Sequence, residues 1–356
     1  MKANVSRAIL GACLLISALS PAFSQVLERR NFFVQSDPGI KIFIREVRAR
    51  TPLQARPVLL IHGARVPGVA SFDLPVPGGS LAADLANAGY VAYIMDARGY
   101  GSSTRPPEMS QPWDANPPLV RSNLVVRDIN AAVAFILRRD RVSQVSLLGW
   151  ATGASWAGYY ATLFPNKVGH LVLHNSLYGA DTPNPLIGHG SDLEDPQHPG
   201  RFNSKAVGAW RCNTANSTLA GWDKNIPVAD KNLWRDPAVA QAYVKAAISS
   251  DPESRSHNPP CFRSPNGALE DSFYQATGRQ LWDASFIRAP TLVIVSGRDF
   301  WSRPEDRQRL VADLVHAARV RTVVIPNATH FVHLDRPEHG QREFLQEVLA
   351  FLSDRD

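Results

Sequence analysis

The chain of 356 residues is poor in cysteine, with three, and carries no block of like charge. It shows no glycine-rich phosphate loop and no cluster of metal ligands. Each absence excludes something. Without a Cys-x-x-Cys pair or a paired-histidine companion, a zinc site is not expected. Without a phosphate-cradling loop, no nucleotide or other cofactor is expected. The net charge of +6 comes from scattered Lys and Arg, which reads as solubility rather than a nucleic-acid footprint. Beyond the first 24 residues no apolar run approaches membrane-spanning length, so no stable membrane insertion is expected.

What is present describes an exported globular protein. Hydrophobic residues make up 44% and charged residues 20%, an ordinary balance for a folded chain. Residues 1–24 read as a signal peptide: Lys2 and Arg7 begin it, Ala8–Leu19 form its apolar part, and Ala22-Phe23-Ser24 make a small-x-small cleavage site. The expected location is therefore periplasmic or secreted. Removal of that segment takes Cys13 away and leaves Cys212 and Cys261, which an oxidising compartment favours as a disulfide.

Strand and helix patterns alternate. Phe32–Gln35 and Ile40–Val47 read as a hairpin around Ser36-Asp37-Pro38-Gly39. "PVLLIHG" (57–63), "YVAYIMD" (90–96), "VSLLGW" (145–150) and "HLVLHNS" (170–176) are continuous apolar runs, as strands buried on both faces should be. Helical spacing lies between them at 79–89 and 120–139. The alternation breaks at 177–286, rich in Pro, Asn, Ser and Trp, and resumes with a strand at 289–299, a helix at 304–318, a strand at 321–330 and a helix at about 339–352. The expectation is an α/β fold: a mostly parallel sheet with helices on both faces, formed by 25–176 and 287–356, with a mainly helical cap inserted at 177–286.

Four motifs carry chemistry. Ile61-His62-Gly63-Ala64 ends a strand; Asp96-Ala97-Arg98-Gly99-Tyr100-Gly101-Ser102 makes a glycine-bearing loop; Gly149-Trp150-Ala151-Thr152-Gly153 joins a strand to a helix; and Asp299 and His330 each follow a late strand. In this order they resemble the α/β-hydrolase superfamily, over roughly 31–176 and 287–353. The resemblance implies a nucleophile elbow at Ala151, an acid at Asp299, a base at His330, and an oxyanion hole from the backbone N–H groups of Ala64 and Thr152. It gives the Asp96 loop a structural part only. Arg65 reads either as a binder of a substrate carboxylate or as a solvated surface arginine, and Trp150 is offered with it to a small, partly hydrophobic substrate. Within the cap, Trp210, Trp222, Trp234, Trp282, Phe202 and Tyr274 are available either to line a pocket or to form the lobe's own core.

The elbow has an alanine where the family places serine. Three readings follow. The chain is an ester or acyl hydrolase without its attacking hydroxyl; or the His–Asp pair works alone as a base, as in a lyase or cofactor-free oxygenase; or the site is a receptor that binds without turnover. Ser155 and Ser176 are weaker replacement nucleophiles, Asp181 is an alternative acid, and His333 reads as packing. Nothing in the sequence indicates the oligomeric state.

Overall fold

A computed structural model describes residues 26–50 and 56–354; the signal-peptide reading and Cys13 fall outside them. The chain begins with a hairpin, β1 (Leu27–Gln35) and β2 (Lys41–Ala49), and continues through β3 (Pro57–Ile61), α1 (Gly68–Phe72), α2 (Leu81–Asn87) and β4 (Val91–Met95). Next come α3 (Ser122–Asp140), β5 (Val145–Trp150), α4 (Thr152–Leu163) and β6 (Val168–His174). The inserted region holds α5 (Ser204–Val207), β7 (Trp210–Thr214), α6 (Ala215–Asp223), α7 (Pro237–Ser249), β8 (Cys261–Pro265) and α8 (Gly267–Ala276). The chain closes with β9 (Thr291–Arg298), α9 (Pro304–Asp313), β10 (Val320–Thr329) and α10 (Gln341–Ser353).

Eight strands form one sheet in the order β1-β2-β4-β3-β5-β6-β9-β10. The first three pair antiparallel and the rest run parallel. Every residue of β3 and β4 is buried, which accounts for the unbroken apolar runs. Because side chains alternate across a strand, Val58 and Leu60 join one core, with α2, α10 and the cap. Leu59 and Ile61 join the opposite core, with α3 and α4. The helices thus cover both faces, and the parallel strands deliver their carboxyl ends to one edge, where such sheets place ligands.

The glycine-bearing loop after β4 has the structural part expected of it. Asp96 accepts from the N–H groups of Gly68 at 2.8 Å and Ser102 at 2.9 Å, while Arg98 is paired with the buried Asp128 at 2.6 Å. Gly101 has φ +51°, and a side chain there would stand 1.9 Å from the Asp96 carboxylate.

The cap is mainly helical, as expected, and β7 and β8 add an antiparallel ribbon within it. Cys212 on β7 and Cys261 on β8 are joined by a disulfide, their Cα atoms 5.5 Å apart. His257 lies beside the two sulfurs, and these three are the metal-ligand types that converge among the described residues; with both thiols spent on the disulfide, the trio is not a ligand set. The expected division of the cap aromatics resolves toward packing, and none of the six lines the cavity described below. Trp222 stacks on Phe331 at 5.3 Å, Trp234 on His339 at 4.0 Å, and Trp282 packs under α4 in the sheet core. Among the described residues no helix is long and apolar enough to cross a membrane.

Candidate active site

β5 and α4 meet at Ala151, whose backbone angles are φ 55° and ψ −119°. For a residue with a Cβ this conformation costs about 1–3 kcal/mol, and the surroundings enforce it. The Ala151 N–H donates to the carbonyl of His174 at 2.8 Å, and its own carbonyl accepts from Ala154 at 3.0 Å. The corner is also too tight for side chains on either flank. A Cβ on Gly149 would lie 2.3 Å from the Gly153 carbonyl, and one on Gly153 would lie 2.2 Å from that of Ile61. The Ala151 methyl is therefore held over the carboxyl edge of the sheet.

Asp299 and His330 follow the adjacent strands β9 and β10, and the parallel register brings them together: His330 Nδ1 donates to Asp299 Oδ1 at 2.6 Å. The carboxylate is fixed from the other side by the N–H groups of Trp301 and Ser302, at 3.1 and 2.8 Å, and by the Ser302 hydroxyl at 2.5 Å. With Nδ1 protonated and committed, the lone pair of His330 sits on Nε2, on the cavity side. Trp150 lines the cavity but also braces this histidine: its indole N–H donates to the His330 carbonyl at 2.9 Å, and its ring lies 5.2 Å from the imidazole.

The residues after β3 supply a second set of groups. His62 is buried, and its Nε2 accepts from the Ala97 N–H at 3.1 Å, so its Nδ1 carries the proton and donates to the Gly63 carbonyl at 2.6 Å. Burial pushes this imidazole down to about 4, which keeps it neutral. Because the Gly63–Ala64 peptide is planar and trans, fixing that carbonyl also fixes the Ala64 N–H in the opposite direction. Among the described residues the N–H groups of Ala64 and Thr152 donate to no protein acceptor. The sequence motif contained His62 without disclosing this orienting role.

Gly63, Ala64, Arg65, Trp150, Ala151, Thr152 and His330 line one cavity, closed from the cap side by Arg211, Thr218 and Tyr243 and flanked by Phe300, Trp301 and Phe331. Its free volume is about 100 Å³, small beside the roughly 300–1,000 Å³ of pockets for drug-sized ligands. A broader groove of about 750 Å³ between β1, α3 and α4 contains no paired histidine and carboxylate. The other candidates do not reach the cavity. The Ser155 hydroxyl is engaged with Gln275 and Trp282, that of Ser176 donates to the Leu177 carbonyl, and Asp181 is exposed near Gly278. His333 is buried against Trp150 and Phe72, and burial pushes it down to about 3.

With this geometry stands one decisive comparison: the model of the alpha/beta hydrolase fold matches residues 56–337. The chain belongs to the α/β-hydrolase fold family. Similar α/β-hydrolase structures span nearly all of it. A hydrolase from Pseudomonas aeruginosa has 18% identity and a TM-score of 0.57, over 91% of this chain and 98% of that one. E-2-(acetamidomethylene)succinate hydrolase has 17% identity and a TM-score of 0.59, over 92% and 100%. A meta-cleavage product hydrolase from Pseudomonas fluorescens, in a serine-to-alanine mutant complexed with acetates, has 17% identity and a TM-score of 0.56, over 89% and 96%. At such identities the likeness is one of fold. No curated protein matches the chain.

Proposed function

We propose that this α/β-hydrolase is built to cleave carboxylic esters or closely related acyl compounds of small size, with Ala151 standing in the position of the nucleophile. The observation that carries this reading is the backbone of Ala151. A methyl group has no use for φ 55° and ψ −119°, whereas a hydroxyl on that corner is presented to a base and to an acyl carbon at once.

The steps follow from the groups in place. With an oxygen on the residue at 151, His330 Nε2 accepts its proton as it attacks the carbonyl carbon. Asp299 holds the imidazole in the required tautomer and steadies its positive charge. The carbonyl oxygen gains negative charge and turns toward the N–H groups of Ala64 and Thr152, which are already oriented. His330 then returns the proton to the departing alkoxide, and a water repeats the sequence to release the acid. In the chain as written the methyl of Ala151 supplies no oxygen. The site then binds the acyl compound without forming a covalent bond to it.

Export belongs to the same reading: the Cys212–Cys261 disulfide suits an oxidising compartment, with 25–176 and 287–356 as the core and 177–286 as the cap. The test is the rate of p-nitrophenyl acetate hydrolysis. Loss of the nucleophilic hydroxyl costs a serine protease about a million-fold in turnover, so Ala151→Ser should raise the rate by at least about a thousand-fold. No gain in a folded variant would refute the hydrolase reading. Turnover of a substrate by the unaltered chain, abolished by His330→Ala, would favour the dyad reading instead.

A further inference from the structure

Two arginines line the cavity without an acid to neutralise them, Arg211 half-buried and Arg65 exposed at its mouth. Arg65 follows Ala64 directly, and from that loop its guanidinium reaches the cap, donating to the Ser217 carbonyl at 3.1 Å. Arg211 comes from β7 and donates to the carbonyls of Pro265 and Ala64 at 3.2 and 2.7 Å and to Asn266 Oδ1 at 2.8 Å. Among the described residues neither has a carboxylate within 4.0 Å, whereas the buried Arg98 and Arg263 each do. The cavity lining contains no Asp or Glu, and Asp299 is committed to His330.

The donor count sharpens the point. A guanidinium has five N–H groups; Arg211 spends three on the protein and Arg65 spends one. Burial pushes Arg211 down to about 10, with Arg65 as a repelling neighbour, which leaves the Arg211 guanidinium cationic at neutral pH. Two residues of the same lining carry buried donors without a partner, the Thr152 hydroxyl and the Trp301 indole N–H. Like charges brought together beside unspent donors leave an environment that an anion completes.

We infer that the cavity takes an anionic substrate, an ester or related acyl compound with a carboxylate at its far end, held between Arg65 and Arg211. The inference rests on the reading of this cavity as the acyl site and adds the charge of the ligand to it. A carboxylate suits the arrangement because its two oxygens accept from a planar guanidinium in pairs, and because little space is available. Arg65 joins core to cap across the cavity, so a bound carboxylate would tie the two together.

The test measures binding to the unaltered chain, by tryptophan fluorescence, of monomethyl glutarate and of dimethyl glutarate, its neutral counterpart. The half-ester is expected to bind at least about tenfold tighter, equivalent to one decade in Kd, with an advantage that shrinks as salt is added. Arg65→Gln should remove most of this preference and Arg65→Lys only part of it. Arg211→Gln should act in the same direction. Since Arg211 also holds the Ala64 loop, its variant counts only with an unchanged circular dichroism spectrum, and Arg65→Gln decides on its own if it does not fold. The inference fails if the diester binds as tightly as the half-ester, if the preference survives Arg65→Gln, or if no half-ester binding is seen at about 10 mM. Equal displacement by inorganic phosphate would overturn the carboxylate assignment. These outcomes involve no covalent step, so they stand apart from the gain of hydrolysis in Ala151→Ser: a variant active on neutral esters alone would refute the anion and leave the hydrolase reading in place.

Discussion

The sheet edge and the cap face each other across one cavity and bring different kinds of chemistry to it. The edge contributes groups fixed by the backbone: a strained corner at Ala151, two free N–H groups and a histidine locked to its carboxylate at 2.6 Å. The cap contributes a cationic side chain, Arg211, on a two-stranded ribbon fastened by a disulfide. On the proposed reading the edge serves a reaction at a carbonyl, and Arg211 of the cap, with Arg65 of the core, recognises what surrounds that carbonyl.

The largest expected effect lies on the edge. In the Ala151→Ser background, His330→Ala should return p-nitrophenyl acetate hydrolysis to the level of the unaltered chain, a loss of about three orders of magnitude or more. If most of the gain survived without the imidazole, the activity would belong to some other group, and the division between edge and cap would fall.

The next effect lies in the cap. The disulfide closes a loop of 49 residues, worth about 4 kcal/mol in the loop-entropy model. Replacing Cys212 and Cys261 together by Ser should therefore lower the melting temperature and open the cap to proteolysis between β7 and β8, while the core strands keep their hydrogen-exchange protection. Equal loss of protection in β3 and β5 would show that the two regions unfold as one.

The smallest effect lies where the regions join. Asp335 accepts from Trp222 of α6 at 2.7 Å and from the Thr329 hydroxyl at 2.6 Å, one residue before His330. Burial pushes its carboxyl up to about 6. The folded chain then keeps a proton that the unfolded chain loses near pH 4, so the contribution is complete below that pH and disappears as the pH rises through 6. The loss is roughly 2–3 kcal/mol. Asp335→Asn should flatten this part of the fall in melting temperature between pH 4 and 7; an unchanged slope would assign it to other groups, with Asp96, also raised to about 6 by burial, the first to examine.

The same contrast explains what could be read in the sequence. β3, β4 and β5 are buried on both faces, and their unbroken apolar runs make them visible, as does the glycine spacing that the Ala151 corner requires. Asp299 and His330 were legible because each directly follows the end of a late strand, β9 or β10. The cap was less so. Its strand "WRCNT" turns the polar Arg211 to the cavity and buries Asn213 while Cys212 is exposed, the reverse of the apolar-in, polar-out alternation that marks a strand. Arg211 went unnoticed for that reason, and because nothing local marks an arginine that lacks an acid partner. Tyr243, Phe300 and Trp301 were missed as cavity residues, while the more numerous cap tryptophans drew attention to the lobe's packing.

The most direct test of the central claim, that residue 151 occupies the position of a nucleophile, is the intact mass of Ala151→Ser protein quenched within its first turnover on p-nitrophenyl acetate. A mass increase of one acetyl group, lost again on standing and absent from the unaltered chain, is the predicted result. A folded variant that acquires no acyl group and hydrolyses no faster than the unaltered chain would contradict it.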